Sequence, residues 1–253
     1  MQNLLYRTED GIGYLSLNRP EHYNAFDGAM IDEFETFWHD RRYDDSVRVI
    51  ILDGGTAKGF CAGLDIVTFG PAIYEKDPTT AYNYQARMAR TILAMRQVPQ
   101  PIICCVHGAA SGIGFSMAMA SDIRIMAEGS RCNAAYINIG LGGADMASSY
   151  FLPRLIGSGR ANEFLLTGNW MSAEDAMNLG FASRLVPREK LAETAGELAK
   201  VMAGKTPLAL RMTKEAINVN MDAGGLEACL HMEDRNQMMI LYSLKLAASP
   251  QKA

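Results

Sequence analysis

Short runs of β-branched residues alternate with longer segments of helical periodicity, and this alternation restricts the possible folds most strongly. Val47–Leu52 and Ile102–Val106 are apolar runs next to glycine or proline, which indicates buried strands. Asp27–Arg42 and Tyr82–Arg96 carry apolar residues at helical spacing. Strands separated by helices usually pair in parallel through right-handed crossovers. The sequence therefore predicts an α/β fold.

The chain opens with a predicted hairpin. Leu4–Thr8 and Ile12–Leu17 flank Glu9-Asp10-Gly11, which favours a three-residue connection between two strands. Asp27 is a candidate N-cap for the helix that follows. Farther on, Val67–Thr80 has little periodicity and two prolines, which indicates a surface loop.

Beyond about Pro187 the sequence shows helical patterns alone. The three stretches, Arg188–Ala203, Pro207–Asn220 and Gly225–Ala247, have no strand of their own to cover. They are therefore expected to pack on the core or on another subunit. The last stretch carries an apolar, methionine-rich face that suits either role, formed by Met232, Met238, Met239, Ile240 and Leu244.

Composition disfavours several partners and compartments. The 253 residues carry a net charge of −4 without a block of Lys or Arg, so neither nucleic acid nor a membrane surface is an expected partner. Five cysteines without C-x-x-C spacing disfavour a disulfide framework and a zinc site. A secretory signal and a long apolar run are both lacking. We expect a cytoplasmic protein with reduced thiols.

One glycine-rich turn, His107–Gly114, imitates a dinucleotide-binding motif. It lies in mid-chain, no acidic residue closes a compact βαβ unit behind it, and no tyrosine has a lysine four residues on. A nicotinamide cofactor is therefore disfavoured. The nucleophile elbow of serine hydrolases, the P-loop and the H-E-x-x-H metalloprotease motif are also missing. The four scattered histidines are interpreted as surface or structural residues rather than bases.

Two glycine turns carry the chemistry that the sequence suggests. Phe60–Asp65 and Ser111–Gly114 each follow a strand, and the second precedes a helix. Two such turns can direct backbone N–H groups at one carbonyl oxygen, and the helix adds the positive end of its dipole. Such an arrangement stabilises an enolate.

The chain resembles the enoyl-CoA hydratase/isomerase (crotonase) superfamily from Leu4 to about Asn236. The resemblance implies a superhelix of β-β-α turns with two nearly perpendicular sheets, in which residues 1–195 form the core domain. It also implies that residues 196–253 are a C-terminal helical region for oligomerisation into a homotrimer or hexamer. The motifs that carry the resemblance, in order, are Asn18-Arg19-Pro20, Asn24-Ala25-Phe26, Phe60–Asp65, Pro101-Ile102-Ile103, His107-Gly108, Asp122, Gly140-Leu141, Leu152–Gly157, Leu166-Thr167-Gly168, Ala173–Ala176 and Gly180.

The same resemblance implies the functional site. The thioester oxygen of an acyl-CoA is expected to bind the N–H groups of Leu64 and Ile113, with Gly112 as part of the same oxyanion hole. No metal or redox cofactor is implied, and coenzyme A enters as part of the substrate. The substrate with its CoA is expected to bind at Ala62, Gly63, Asp65 and Ile66, and the adenine end of CoA is expected against the backbone around Ala62 and Ile66.

Two departures from the family pattern matter for the reaction. Hydratases that resemble this chain carry glutamates at the positions that Ser116 and Tyr136 occupy here. Serine does not titrate usefully, and tyrosine has a pKa near 10, so neither can replace a carboxylate acid or base. Water addition by two glutamates is therefore not expected.

Asp145 is the carboxylate that remains near the predicted site. It stands twelve residues before Gly157, where dienoyl-CoA isomerases and 4-chlorobenzoyl-CoA dehalogenases similarly place a catalytic aspartate. Asp145 is thus a candidate acid/base, and its alternative role is that of an N-cap for the following helix. Tyr136 is expected beside it, either orienting a water or filling space. Glu233 is a second acidic residue of interest, although an exposed helix charge is the favoured interpretation.

Three functions stay open at this stage. One is an acyl-CoA enzyme that stabilises an enolate, with Asp145 moving protons. Another is a hydrolase that cleaves a thioester or a C–C bond of a β-diketone with water activated by Asp145. The third is a catalytically idle protein that binds CoA thioesters.

Overall fold

The computed structural model describes residues 1–71 and 77–248, and its main sheet has six strands. The first two strands pair antiparallel and all later neighbours pair in parallel, as the alternation of strands and helices predicts. In spatial order the strands are β1 (Leu4–Glu9), β2 (Ile12–Leu17), β3 (Val49–Asp53), β4 (Ile102–Val106), β6 (Ile123–Ala127) and β9 (Arg184–Val186).

A second sheet lies beside the glycine turns. Its strands, β5 (Ala109–Ser111), β7 (Arg131–Asn133) and β8 (Met171–Ser172), are too short to leave a periodic pattern in the sequence. An isolated bridge joins Cys61 to Ala110 on β5. The second sheet therefore fixes one glycine turn against the other.

Helices follow the strands and then dominate the C-terminal part. Within the described ranges no helix is long and apolar enough to cross a membrane. The helices are α1 (Gly28–Arg41), α2 (Pro78–Gln97), α3 (Ile113–Ala120), α4 (Ser148–Ile156), α5 (Ser158–Thr167), α6 (Ala173–Asn178), α7 (Leu191–Ala203), α8 (Pro207–Asn220) and α9 (Leu226–Ala248).

Local chemistry sets several element ends. The β1–β2 hairpin closes through Asp10 and Gly11 alone, both at positive φ, so the predicted three-residue connection is one residue too long. Asp27 caps α1 as predicted, because its carboxylate accepts from the N–H of Met30 at 2.9 Å. The side chain of Asp77 accepts from two N–H groups of α2, which therefore begins inside the predicted loop Val67–Thr80. Residues 72–76 of that loop lie outside the described ranges.

The main sheet buries apolar side chains on both faces. One face packs on α1 and α3, with the aromatic side chains of α1 at its centre. The other face packs on α7, whose Ala195, Ala199 and Ala203 are buried against β-branched residues of the sheet. Small side chains at this spacing let the helix approach the sheet closely. The predicted domain boundary at 195 falls inside α7, and the division itself stays a prediction.

α9 leaves an apolar surface open. It contains no buried residue within its length, and Met238, Met239 and Leu244 of the predicted apolar face are exposed. Met232 and Ile240 are half-buried. The predicted homotrimer or hexamer would give this surface a partner and stays a prediction.

Candidate active site

The two glycine turns meet directly in the structure. Cys61 donates its N–H to the carbonyl of Ala109 at 3.1 Å, and Ser111 donates its N–H to the carbonyl of Cys61 at 2.9 Å. Close approach requires glycine at position 114, where a Cβ would lie 2.7 Å from the carbonyl oxygen of Cys61. The turns are therefore held together by main-chain contacts.

Two backbone N–H groups at this junction have no partner within the described residues: those of Leu64 and Ile113. On either side of Leu64, the carbonyl of Gly63 and the N–H of Asp65 both bond to Phe26, so the N–H of Leu64 points away from Phe26. Ile113 is the first residue of α3, whose opening N–H groups have no helical acceptor and lie at the positive end of the helix dipole. These two groups are available to bind an oxyanion.

Gly112 contributes to the hole in a different way. Its own N–H donates to the carbonyl of Asn133 at 3.1 Å and is therefore not available to a ligand. Its φ of 53°, which glycine adopts readily, turns the chain into α3. Gly112 therefore directs the N–H of Ile113 and is not itself a donor.

A cavity of about 130 Å³ lies against this junction. Asp145 is the only carboxylate among its described lining residues. Sequence reasoning identified eight of the lining residues as site residues: Ala62, Gly63, Leu64, Ile66, Gly112, Ile113, Tyr136 and Asp145.

Asp65 does not line this cavity and instead stabilises the neighbouring loop. Its buried carboxylate accepts from the N–H of Thr68 at 3.0 Å and lies 3.4 Å from the guanidinium of Arg19. Burial raises the pKa of Asp65, but the Thr68 and Arg19 contacts outweigh it and hold the pKa below the ordinary value. The contact of Asp65 with CoA stays a prediction, and its side chain has a structural role beside the first glycine turn.

Ser116 and Tyr136, at the two family glutamate positions, bind each other. Their hydroxyl oxygens lie 3.0 Å apart, and Ser116 is completely buried on α3. Burial raises the pKa of Tyr136, and the charge of Asp145 raises it further, although the Ser116 hydrogen bond lowers it. The pair is thus neutral and cannot perform carboxylate chemistry.

Asp145 lies half-buried on the segment between a 3₁₀ helix (Ala135–Ile139) and α4. Its Oδ1 accepts from the side-chain amide of Gln85 at 2.6 Å and from the N–H of Met146 at 2.7 Å. Oδ2 has no hydrogen-bond partner within the described residues. Burial raises the pKa of Asp145, with the Met146 and Gln85 hydrogen bonds opposing it. A carboxylate with a raised pKa is a suitable base near neutral pH.

The structure also decides the capping alternative. Ala147 occupies the N-cap position of α4, with no side-chain cap. The Asp145 carboxylate bonds the adjacent N–H of Met146, which lies before the helix, so the N-cap interpretation of Asp145 is wrong. Met146 and Ala147 both have positive φ, at 45° and 65°. Such strain in non-glycine residues is characteristic of functional sites.

Sequence reasoning did not identify the remaining lining residues as site residues, although Ser111 and Leu141 belong to motifs that it named. Gln85 and Met88 come from α2, far from either glycine turn in sequence, and no local pattern marks them as site residues. Ile139, Leu141 and Met146 line the cavity from the segment around Asp145. Their apolar character reveals burial but not which surface they cover.

Other candidates lie elsewhere. Glu233 is exposed on α9, where its carboxylate accepts from the thiol of Cys229 at 3.3 Å, as the predicted role of an exposed helix charge requires. His107 is buried with Nε2 at 2.9 Å from the carbonyl of Ala57, which confirms its structural interpretation.

Comparison with known proteins places this geometry in a family. The profile of the family described as Enoyl-CoA hydratase/isomerase matches residues 7–251. The chain belongs to the enoyl-CoA hydratase/isomerase family. It is accordingly an acyl-CoA-processing enzyme, and the crotonase-like fold predicted from the motifs is confirmed.

Relatives include both hydratases and isomerases. The chain is 36% identical over 232 residues, 90% of its own length and 81% of the relative, to the probable enoyl-CoA hydratase EchA12 of Mycobacterium tuberculosis H37Rv. It is 33% identical over 223 residues, 86% of its length and 82% of the relative, to the 1,2-epoxyphenylacetyl-CoA isomerase of Escherichia coli K12. The crystal structure of a probable enoyl-CoA hydratase/isomerase from Mycobacterium abscessus matches with a TM-score of 0.87 and 33% identity, covering 95% of this chain and 90% of that one.

Proposed function

We propose that this enzyme moves protons on an acyl-CoA thioester through an enolate, with Asp145 as its principal acid and base, and so isomerises the acyl group. The observation that carries the proposal is the single carboxylate in a cavity that also presents the free N–H groups of Leu64 and Ile113. One such carboxylate suffices to remove a proton and return it at another carbon.

The chemistry follows from the positions of these groups. The Asp145 carboxylate takes a proton from the carbon next to the thioester carbonyl. The C–H electron pair forms a double bond to the carbonyl carbon, and the carbonyl π pair moves onto the oxygen. The N–H groups of Leu64 and Ile113 stabilise the negative charge on that oxygen, assisted by the dipole of α3. With a 3-enoyl thioester the enolate is conjugated with the acyl double bond, so the protonated Asp145 can return its proton to the γ-carbon. The carbonyl re-forms as the double bond moves from the 3- to the 2-position.

The Ser116–Tyr136 pair supports isomerisation over hydration by two glutamates. Both hydroxyls are neutral and already bonded to each other, so neither is a carboxylate that could hold and activate water. Tyr136 therefore fills the cavity wall beside Asp145. The 1,2-epoxyphenylacetyl-CoA isomerase among the relatives, at 33% identity, is consistent with this proposal.

The proposal is tested with a panel of 2-enoyl, 3-enoyl, dienoyl and β-keto CoA thioesters, incubated with wild type, Asp145→Asn and Glu233→Gln. Chromatography with mass spectrometry detects an isomer at unchanged mass, a hydration product at the added mass of water, and hydrolysis as free CoA. We expect an isomer, a loss of about a hundredfold or more in Asp145→Asn, and no change in Glu233→Gln, because general acid/base contributions have this size.

Other results would contradict the proposal in distinct ways. Free CoA, or a shortened acyl-CoA with a free acid, that depends on Asp145 would indicate the hydrolase, in which this carboxylate activates water. Thioester binding without turnover of any panel member would indicate the idle binding protein. Full activity in Asp145→Asn would show that another group moves the proton.

A further inference from the structure

Gln85 reaches the Asp145 carboxylate from a different element of the fold. Its side-chain amide donates to Oδ1 at 2.6 Å across 60 residues of sequence. The other donor to Oδ1 is the N–H of Met146, which belongs to the same segment as Asp145. Among the described residues, Gln85 thus makes the only hydrogen bond to this carboxylate from outside its own segment.

The two residues differ in how firmly their elements are held. Gln85 lies on α2, which buries Met88, Ile92 and Met95 in the core. The Arg87 guanidinium ties the same part of α2 to α1 through Glu35 at 2.6 Å. Asp145 instead lies on a segment without regular structure, next to two residues with positive φ. The helix can therefore act as a fixed support for a carboxylate that its own segment holds less firmly.

The contact also distinguishes the two carboxylate oxygens. Oδ1 is occupied by two donors, whereas Oδ2 has no partner within the described residues. We propose that Gln85 is a positioning residue that holds Oδ1 of Asp145 and thereby leaves Oδ2 to exchange the proton with the acyl group. This inference rests on the proposed function and adds to it a residue that does not itself move protons.

The charged surroundings make the effect of Gln85 measurable. Tyr136 is the titratable side chain that shares the cavity with Asp145, and no Lys, Arg or His is found among the described lining residues. Burial raises the pKa of Asp145, and the hydrogen bonds from Met146 and Gln85 lower it. Without Gln85, the protonated carboxyl group should therefore persist to higher pH.

The test compares wild type with Gln85→Met, which keeps the length of the side chain but removes the donor. Asn83→Met is the matched control, because Asn83 is an exposed amide on the same helix. The titration of Asp145 is followed by NMR of ¹³C-labelled aspartate, with Asp145→Asn assigning the signal. The pH dependence of kcat and KM is measured for the same proteins with the best thioester of the panel.

We expect Gln85→Met to move the Asp145 titration and the acid limb of kcat/KM to higher pH. On that limb kcat should fall about tenfold, the effect of one hydrogen bond to a charged group, while KM changes little. Asn83→Met should match wild type. Gln85→Glu, a second variant, places another carboxyl beside Asp145, so one proton is shared and the titration moves upward as well.

Two results would overturn the inference. An Asp145 titration that is the same in Gln85→Met and wild type would show that the contact does not act on the carboxylate. A rise in KM at unchanged kcat and pH profile would show that Gln85 binds substrate instead. Full activity in Asp145→Asn would instead refute the proposed function itself. The catalytic role proposed for the Gln85–Asp145 hydrogen bond would then be refuted as well.

Discussion

Replacing Gly114 with alanine tests whether the close contact of the two turns sets the position of the N–H of Ile113. The added Cβ would lie 2.7 Å from the carbonyl oxygen of Cys61 and 2.8 Å from its Cβ. Reaching even a tight contact of 3.0 to 3.4 Å requires the turns to move apart by about 0.3 to 0.7 Å, and an ordinary contact of 3.4 Å or more requires at least about 0.7 Å. This movement occurs next to one of the two oxyanion donors, where loss of a single donor costs about 10² to 10³ in kcat. We expect partial displacement to lower kcat at least about tenfold.

Stability should change much less than activity. Overpacking costs about 1 to 3 kcal/mol, but alanine favours a helix by about 1 kcal/mol over glycine, so the net loss is about 0 to 2 kcal/mol. For a chain of this length, Tm should therefore fall by up to about 8 °C.

The assay combines calorimetry with turnover of the best panel substrate. Gly159→Ala is the matched control, because a Cβ added to this helical glycine would have no neighbouring atom within 4 Å among the described residues. We expect Gly159→Ala to retain full activity at equal or higher Tm. Wild-type kcat in a folded Gly114→Ala would refute the reasoning, because the contact would then not determine the geometry of the hole.

Three further substitutions test the energetics of the site and the core. Asp145→Asn should raise Tm at neutral pH. The raised pKa of Asp145 means that folding disfavours the charged carboxylate, and the substitution removes that charge. The gain in Tm should disappear as the pH falls, because the wild-type carboxyl group is then already protonated. An equal Tm across the pH range would contradict this. Tyr136→Phe should leave kcat within about threefold. It should lower the free energy of unfolding in urea by about 1 kcal/mol, because Ser116 loses its hydroxyl partner. A large loss of kcat would indicate a chemical role for Tyr136. Lys214→Met should lower the free energy of unfolding in urea by about 2 to 4 kcal/mol, because buried Lys214 lies 3.0 Å from the Asp122 carboxylate. An unchanged urea midpoint would disprove this.

The fold was predictable wherever a segment buries enough apolar surface to leave a pattern. The strand Ile102–Val106 was predicted with its observed ends, because proline and glycine bound a continuous apolar run. The strands β5, β7 and β8 were not predicted, since two or three residues cannot show a period. The start of α2 was placed too late because its N-cap and first turn are polar and carry no apolar periodicity.

The site was predictable where function depends on the main chain. The family resemblance carried by the two glycine turns predicted Leu64 and Ile113 as donors, and their N–H groups have no acceptor within the described residues. Their role as oxyanion donors stays a prediction. Asp145 could be located from its distance to Gly157, but its hydrogen bonds could not. Gln85 could not be found at all, since a polar residue on a helix looks the same in sequence whether it faces solvent or a carboxylate.

The backbone contributes the free N–H groups of Leu64 and Ile113, whereas side chains contribute the acid/base groups of the cavity, and this division affects how such an enzyme can change its reaction. Under the proposed function neither oxyanion donor belongs to a side chain, so substitutions at cavity positions other than the glycines of the two turns change the acid/base groups and keep both donors. At positions 116 and 136, where the family resemblance predicts glutamates, the side chains carry hydroxyls, and the N–H groups of Leu64 and Ile113 have no acceptor within the described residues. A change of reaction therefore requires new side chains in the cavity but no new oxyanion donors.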